Sequence, residues 1–182
     1  MLFRSWDVER IAAALPPDAL NHPTWSMGAK ITVDSASLVN KGLEAIEAQR
    51  LYGVPMERVK ILVHPESVVH ALVTYRDGST IAQLASADMR GPIGYALGYP
   101  HRMDRLIPPV DLVARGSLSF AAPDLARFPG LATALAAGRS GVRATSALIA
   151  ADDIAVGRFL AGECRFGAIP EILEATVGAL EA

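Results

Sequence analysis

Between residues 68 and 86 apolar and polar positions alternate in two short runs, "VVHALVTY" and "STIAQLAS", joined by "RDG". Period-two alternation on both sides of an Asp-Gly turn predicts a β-hairpin. Two further stretches read as strands: "KITVDS" (30–35), where Ile31 and Val33 alternate with polar residues, and "RVKILVHP" (58–65). Helical periodicity is expected in "SWDVERIAAALP" (5–16), with Ser5 as N-cap and Pro16 as its stop. A second helix is expected from about Ser37 to Tyr52, ended by Gly53 and Pro55. The segment between these two helices, "NHPTWSMGAK", is loop-like up to the first strand. After the hairpin, "ADMRGPIGYALGYP" reads as a loop and a short helix with Pro92 near its first turn.

From Leu125 onward the pattern becomes alanine-rich and helical: "LARFPGLATALAAG", "VRATSALIAADDIAVGRFLAG" and "IPEILEATVGALEA". The fold expected is α+β. Residues 1–104 form a catalytic domain of mixed sheet and helices. Residues 105–124, with Pro108, Pro109, Gly116 and Pro123, form a linker, and residues 125–182 form a small all-helical domain.

Composition narrows the class. The chain has 182 residues, 51% hydrophobic, which is enough to bury a real core. A formal charge of −2 gives no basic excess and argues against a nucleic-acid partner. Cys164 is the single cysteine, so disulfide scaffolds and multi-cysteine zinc sites are excluded and a reducing compartment, the cytoplasm, is expected. "MLFRSWDVER" is too charged for a signal peptide. No apolar run approaches the ~20 residues of a membrane helix, so no membrane partner is expected.

Candidate chemistry gathers on the second helix. At 100° per residue, Ser37, Asn40, Lys41, Glu44 and Glu47 fall within about 120° of one another, with Val39, Leu43 and Ile46 on the other side. A solvated face with Lys41 and Glu44 paired at i, i+3 is one reading. The other is a site. A strand running through "VDSAS" into a helix N-terminus would present free N–H groups to an anion. Lys41 supplies a cation, and Asn40 and Ser35 supply neutral donors, which suit a phosphate. Glu44 is a hard oxygen ligand suited to Mg²⁺ or Mn²⁺. The histidines offer no alternative metal site: His64 and His70 are six apart across Pro65, which suits no helical pair. His22 opens a loop that also holds Trp25, Met27 and Gly28. Large apolar residues in such a loop either close over a ligand or pack on the core.

Two blocks, "NHPTWSMGAKITVDSASLVNKGLEAIEA" and "HPESVVHALVTYRDGSTIAQLASADMRGPI", closely resemble the 1-deoxy-D-xylulose 5-phosphate reductoisomerase family. The resemblance implies rearrangement of a sugar phosphate and its reduction with NADPH to 2-C-methyl-D-erythritol 4-phosphate, assisted by a divalent metal. It implies that Ser35, Asn40 and Lys41 hold the phosphate, and that His22 and the lid tryptophan Trp25 close onto substrate. Glu44 would bind both metal and substrate. Gly28, Met27 and Met89 would meet NADPH. It also implies a homodimer built on the hairpin sheet.

The resemblance has departures. No strand–GxGxxG–helix unit for a dinucleotide is found, and the family's other acidic metal ligands have no counterpart. "ML" stands where the family has a Ser-Gly-Gly-Pro stretch, and "IAADDIAV" stands where asparagines and a glutamate are usual. The expectation is a chain truncated at both ends and inactive alone. The alternative is a non-catalytic dimerising remnant, and an unrelated metal hydrolase ranks last.

Overall fold

Short helices open the chain because their caps are close together in sequence. The structure, a computed structural model, describes residues 2–22 and 26–180. Helix α1 (Val8–Ala12) is capped by Asp7, whose Oδ1 accepts from Arg10 N at 2.7 Å, and not by Ser5. Pro16 does not simply end that helix. It begins α2 (Pro16–Leu20), where its missing N–H costs nothing, and the Asp18 carboxylate accepts from Leu15 N at 2.9 Å.

The largest departure from the sequence expectation lies at residues 29–37. "KITVDS" is not a strand: Ala29–Ser37 forms helix α3. The Thr32 and Ser35 hydroxyls donate back to Gly28 O (2.8 Å) and Ile31 O (2.7 Å), which satisfies them inside a helix. Lys30 and Asp34 also meet at i, i+4. Burial of Thr32, Val33, Asp34, Ala36 and Ser37 outweighs the β-branched preference. One left-handed residue, Leu38 (φ 63°, ψ 7°), separates α3 from α4 (Val39–Tyr52). Leucine rarely adopts this conformation, and Leu38 is held in it with its side chain buried. Gly53 (φ 61°) ends α4 as expected. A 3₁₀ turn, Met56–Arg58, follows.

Residues 2–61 and 122–180 belong to one compact unit. Helices α7 (Pro129–Ser140), α8 (Val142–Leu160) and α9 (Ala168–Gly178) are the helices expected after Leu125. They share a core with the N-terminal segment: α4 packs on α7, and α3 on α8. Phe3, Phe128, Leu131, Leu148, Phe159, Ile169 and Leu173 are fully buried there. Arg127 fastens the N-terminal turn by donating from Nη2 to the carbonyls of Phe3 and Arg4, both at 3.1 Å, and of Trp6. The compact units therefore follow lines other than the expected 1–104 and 125–182 boundaries.

The second unit, residues 62–121, holds the expected hairpin. Strands β1 (Val69–Thr74) and β2 (Thr80–Leu84) pair antiparallel, with Val73 opposite Ile81 and Thr74 opposite Thr80. Among the described residues this is the whole sheet, a single antiparallel ladder and not a mixed one. The strand expected at 58–65 is reduced to one bridge, Val63 with Ala121. Helix α5 (Arg90–Gly98) has Pro92 in its first turn, and α6 (Leu112–Arg115) replaces part of the expected linker. The class is α+β, mostly helical.

The α4–α7 contact is close enough to be tested by one methyl group. A Cβ on Gly42 would stand 2.3 Å from Ala134 Cβ. Gly42→Ala should destabilise the chain by about 1–3 kcal/mol through overpacking, outweighing the better helix propensity of alanine. Denaturant unfolding would show this as a lower midpoint at unchanged slope.

Candidate functional site

Helix α4 buries Val39, Gly42, Ala45 and Ile46 and turns Asn40, Lys41 and Glu44 outward. The three meet. Asn40 Nδ2 donates to Glu44 Oε1 at 2.6 Å, and Lys41 Nζ donates to Glu44 Oε2 at 2.5 Å. Each carboxylate oxygen of Glu44 thus has its own donor, one neutral and one cationic. Lys41 and Glu44 are each a little under half exposed, so the group is open to a ligand.

Ser35 does not belong to this bonded group. It lies on α3 with its hydroxyl given to Ile31 O. The expected route of strand into helix N-terminus is also corrected. α4 follows α3 across Leu38, and Val39 N is taken by Ser37 Oγ at 3.3 Å. An open row of N–H groups is therefore not what the start of α4 offers. The cation and amide of its first two turns are.

The loop before α3 is placed in part. Burial holds the His22 imidazole below its ordinary range, and His22 N bonds Leu20 O at 3.1 Å. Trp25 lies outside the described residues. Met27 is half-buried. Gly28 caps α3 with extended backbone, and no atom lies within 4 Å of where its Cβ would be. Met89, more than half exposed, precedes α5 in the second unit. A cleft of about 400 Å³ in that unit, lined by Ser86, Pro109, Val110, Asp111, Ala114 and Arg115, contains none of the predicted residues.

Sequence reasoning missed one charged cluster. Lys30 Nζ bonds Asp34 Oδ2 at 2.8 Å and, from α8, Asp152 Oδ2 at 2.5 Å. Burial pushes the Asp34 carboxyl up to about 6, against the hydrogen bond from Lys30. Burial also raises Asp152. It opposes the charge on Lys30, but hydrogen bonds to Asp152 and then Asp34 overcome it and raise that group above its ordinary range. Lys30 and Asp34 at i, i+4 were the available signal, hidden by reading the segment as a strand.

A metal centre needs more than this face provides. Among the described residues no group of three or more His, Cys, Asp or Glu side chains is arranged to hold an ion. Glu44 fits as one oxygen ligand and no more, so no step through a metal follows from these residues. Among the described residues no helix is long and apolar enough to cross a membrane.

Comparison with known proteins adds the context. Residues 2–52 match the 1-deoxy-D-xylulose 5-phosphate reductoisomerase C-terminal domain, and residues 84–182 match the DXP reductoisomerase C-terminal domain. A 1-deoxy-D-xylulose 5-phosphate reductoisomerase of Moorella thermoacetica is 55% identical over 163 residues, covering 90% of this chain and 42% of that protein. One from Cupriavidus necator is 49% identical over 178 residues, covering 96% and 45%. Among solved structures, a DOX-P reductoisomerase in complex with NADPH, fosmidomycin and magnesium superposes with a TM-score of 0.92 at 44% identity, covering 97% of this chain and 43% of that one. The Zymomonas mobilis enzyme in complex with NADPH gives 0.89 at 41% identity, covering 97% and 45%. The chain spans less than half the length of these relatives.

Because the Asn40–Lys41–Glu44 group is half exposed, its bonds contribute little to folding. Lys41→Met and Glu44→Gln should each shift the unfolding free energy by less than about 1 kcal/mol, measured by urea titration. A larger loss would make the group a structural brace.

Proposed function

The chain belongs to the 1-deoxy-D-xylulose 5-phosphate reductoisomerase family, and from that membership we propose that it serves isomerisation and NADPH-dependent reduction of 1-deoxy-D-xylulose 5-phosphate to 2-C-methyl-D-erythritol 4-phosphate, in the cytoplasm. The observation that carries the reading is the Asn40–Lys41–Glu44 group on the outer face of α4. An ammonium and an amide one residue apart are the donors a phosphate monoester needs. In the described state both are spent on Glu44. A phosphate drawing Lys41 and Asn40 away would leave the Glu44 carboxylate with free oxygens. Substrate arrival and exposure of a metal ligand would then be one exchange of partners, with Ser35 on the neighbouring helix as a further phosphate donor.

A divalent ion, Mg²⁺ or Mn²⁺, supplies charge for polarising the substrate's carbonyl and hydroxyl oxygens when bound. Glu44 is this chain's share of its ligands. NADPH supplies the hydride when bound; Met27 and Gly28 of the first unit would meet it, and Met89 of the second unit is a separate candidate contact. His22, which precedes α3, and Trp25, which lies outside the described residues, would close over the substrate and exclude water. That share is small. One carboxylate binds Mg²⁺ weakly, and one rim of a cofactor cleft gives too little contact to hold a dinucleotide. The same observation favours a second reading, a folded domain that binds phosphosugar without turning it over.

The two readings separate in one assay. The purified 182-residue chain should oxidise no NADPH with 1-deoxy-D-xylulose 5-phosphate. Supplied with the dinucleotide-binding domain of a relative, fused or in trans, it should gain activity that Glu44→Gln abolishes and Lys41→Met weakens mainly through KM. A fused protein that folds, binds NADPH and remains inactive would favour the non-catalytic reading. Robust turnover by the isolated chain would overturn the account of an incomplete site.

We also propose a homodimer formed over the hairpin. Val73 and Ile81 stand opposite each other on one face, 55% and 61% exposed. Paired apolar side chains left in water on a two-stranded sheet invite a second copy. Light scattering should give twice the chain mass, and Val73→Lys with Ile81→Lys should give a folded monomer.

A further inference from the structure

Two buried carboxylates meet one partly exposed ammonium between α3 and α8. Asp34 is 3% exposed and Asp152 1% exposed, and the Oδ2 of each accepts from the same Lys30 Nζ. Their other oxygens, Asp34 Oδ1 and Asp152 Oδ1, are buried with no donor. Asp153 adds a third carboxylate at 3.4 Å from Lys30, but it is mostly exposed. One lysine cannot balance two desolvated carboxylates, and two orphan acceptor atoms in the interior are costly. A single proton removes both difficulties. Placed on Asp34, it makes an O–H that can donate to Asp152, whose carboxylate shares the same Lys30 Nζ. One negative charge then remains to face Lys30.

We propose that Lys30, Asp34 and Asp152 are a proton-loaded latch, fastening α3 to α8 while the two carboxyl groups share one proton and loosening when it leaves for solvent. The charges acting on the pair are Lys30 and Asp153. The other elements packed on α3 and α8 keep their charges elsewhere: Asp18 of α2 caps its own helix, Lys41 of α4 holds Glu44, and Glu171 of α9 holds Arg165. Arg139 of α7 and Glu174 of α9 are exposed. Burial is the main reason the proton is retained, and it takes Asp34 up to about 6. The folded value lies above the unfolded one. The stabilisation is therefore complete below the ordinary range near ~3.9 and is lost as pH rises through about 6. Raised Lys30 acts in the same sense, only at alkaline pH. The latch is closed in mild acid and slack at neutral pH and above. What it holds is α3, the helix that carries Ser35 and leads into α4.

The latch does not rest on the enzymatic reading, and its test uses no activity. In the 182-residue chain labelled with ¹³C at aspartate carboxyls, NMR titration should show two coupled carbons, one with a midpoint near 6. Asp152→Asn keeps the shape, donates an N–H to Asp34 and removes the second charge. Relative to wild type, its folding equilibrium constant should rise about tenfold between pH 4.5 and pH 7.5. Should that variant fail to fold, the wild-type titration decides alone. Aspartates that all titrate in the ordinary range, or a variant-to-wild-type ratio equal at both pH values, would overturn the latch.

Discussion

The approach of α4 to α7 at Gly42 is the constraint on which the rest depends. With no side chain at position 42, Ala134 can stand against the α4 backbone, and Gly138 makes the same room for Met56. Gly130 does so for Val39. Three glycines along one seam let two helices sit closer than ordinary side chains permit, and dispersion contacts grow steeply with that closeness. Fixing the inner face of α4 fixes its outer face as well, because the two are one rigid cylinder. Asn40, Lys41 and Glu44 point outward since Val39, Gly42 and Ile46 have nowhere else to go.

Charge is handled in two different ways on either side of that seam. On the outer face, the Lys41–Glu44 pair is wet and replaceable, which suits groups meant to exchange partners with a ligand. Against the core, partly buried Arg127 satisfies three backbone carbonyls of the N-terminal turn, and partly exposed Lys30 is gripped by the buried Asp34 and Asp152. Removing one partner from such a set leaves a desolvated charge uncompensated. The interior sets fasten elements; the outer one is available for chemistry.

Local signals were readable in the sequence, and long-range ones were not. The hairpin announced itself through alternation around Asp77-Gly78, the C-terminal helices through their periodicity, and the end of α4 through Gly53, because each is decided within a few residues. The outward grouping of Asn40, Lys41 and Glu44 followed from helical spacing alone. Residues 30–35 misled because Ile31 and Val33 alternate, whereas in the fold Val33 is buried and Ile31 is exposed on successive sides of a helix whose hydroxyls bond backward. Asp152 could not be foreseen as a partner of Lys30, 122 positions away. The left-handed Leu38 was equally hidden, since leucine gives no local hint of that conformation.

The bridge between Val63 and Ala121 bears on how the chain is assembled. The residues that begin and end the second unit are hydrogen-bonded neighbours, with Ser119 giving both its N–H and its hydroxyl to Glu66 and His64 stacked on Phe120. The polypeptide thus departs from the helical unit and returns to it through a narrow gate. In topological terms the second unit is an excursion of the chain, residues 62–121, between two segments that belong to one helical unit. Replacing that excursion by a short turn should therefore leave the helical unit's own packing in place.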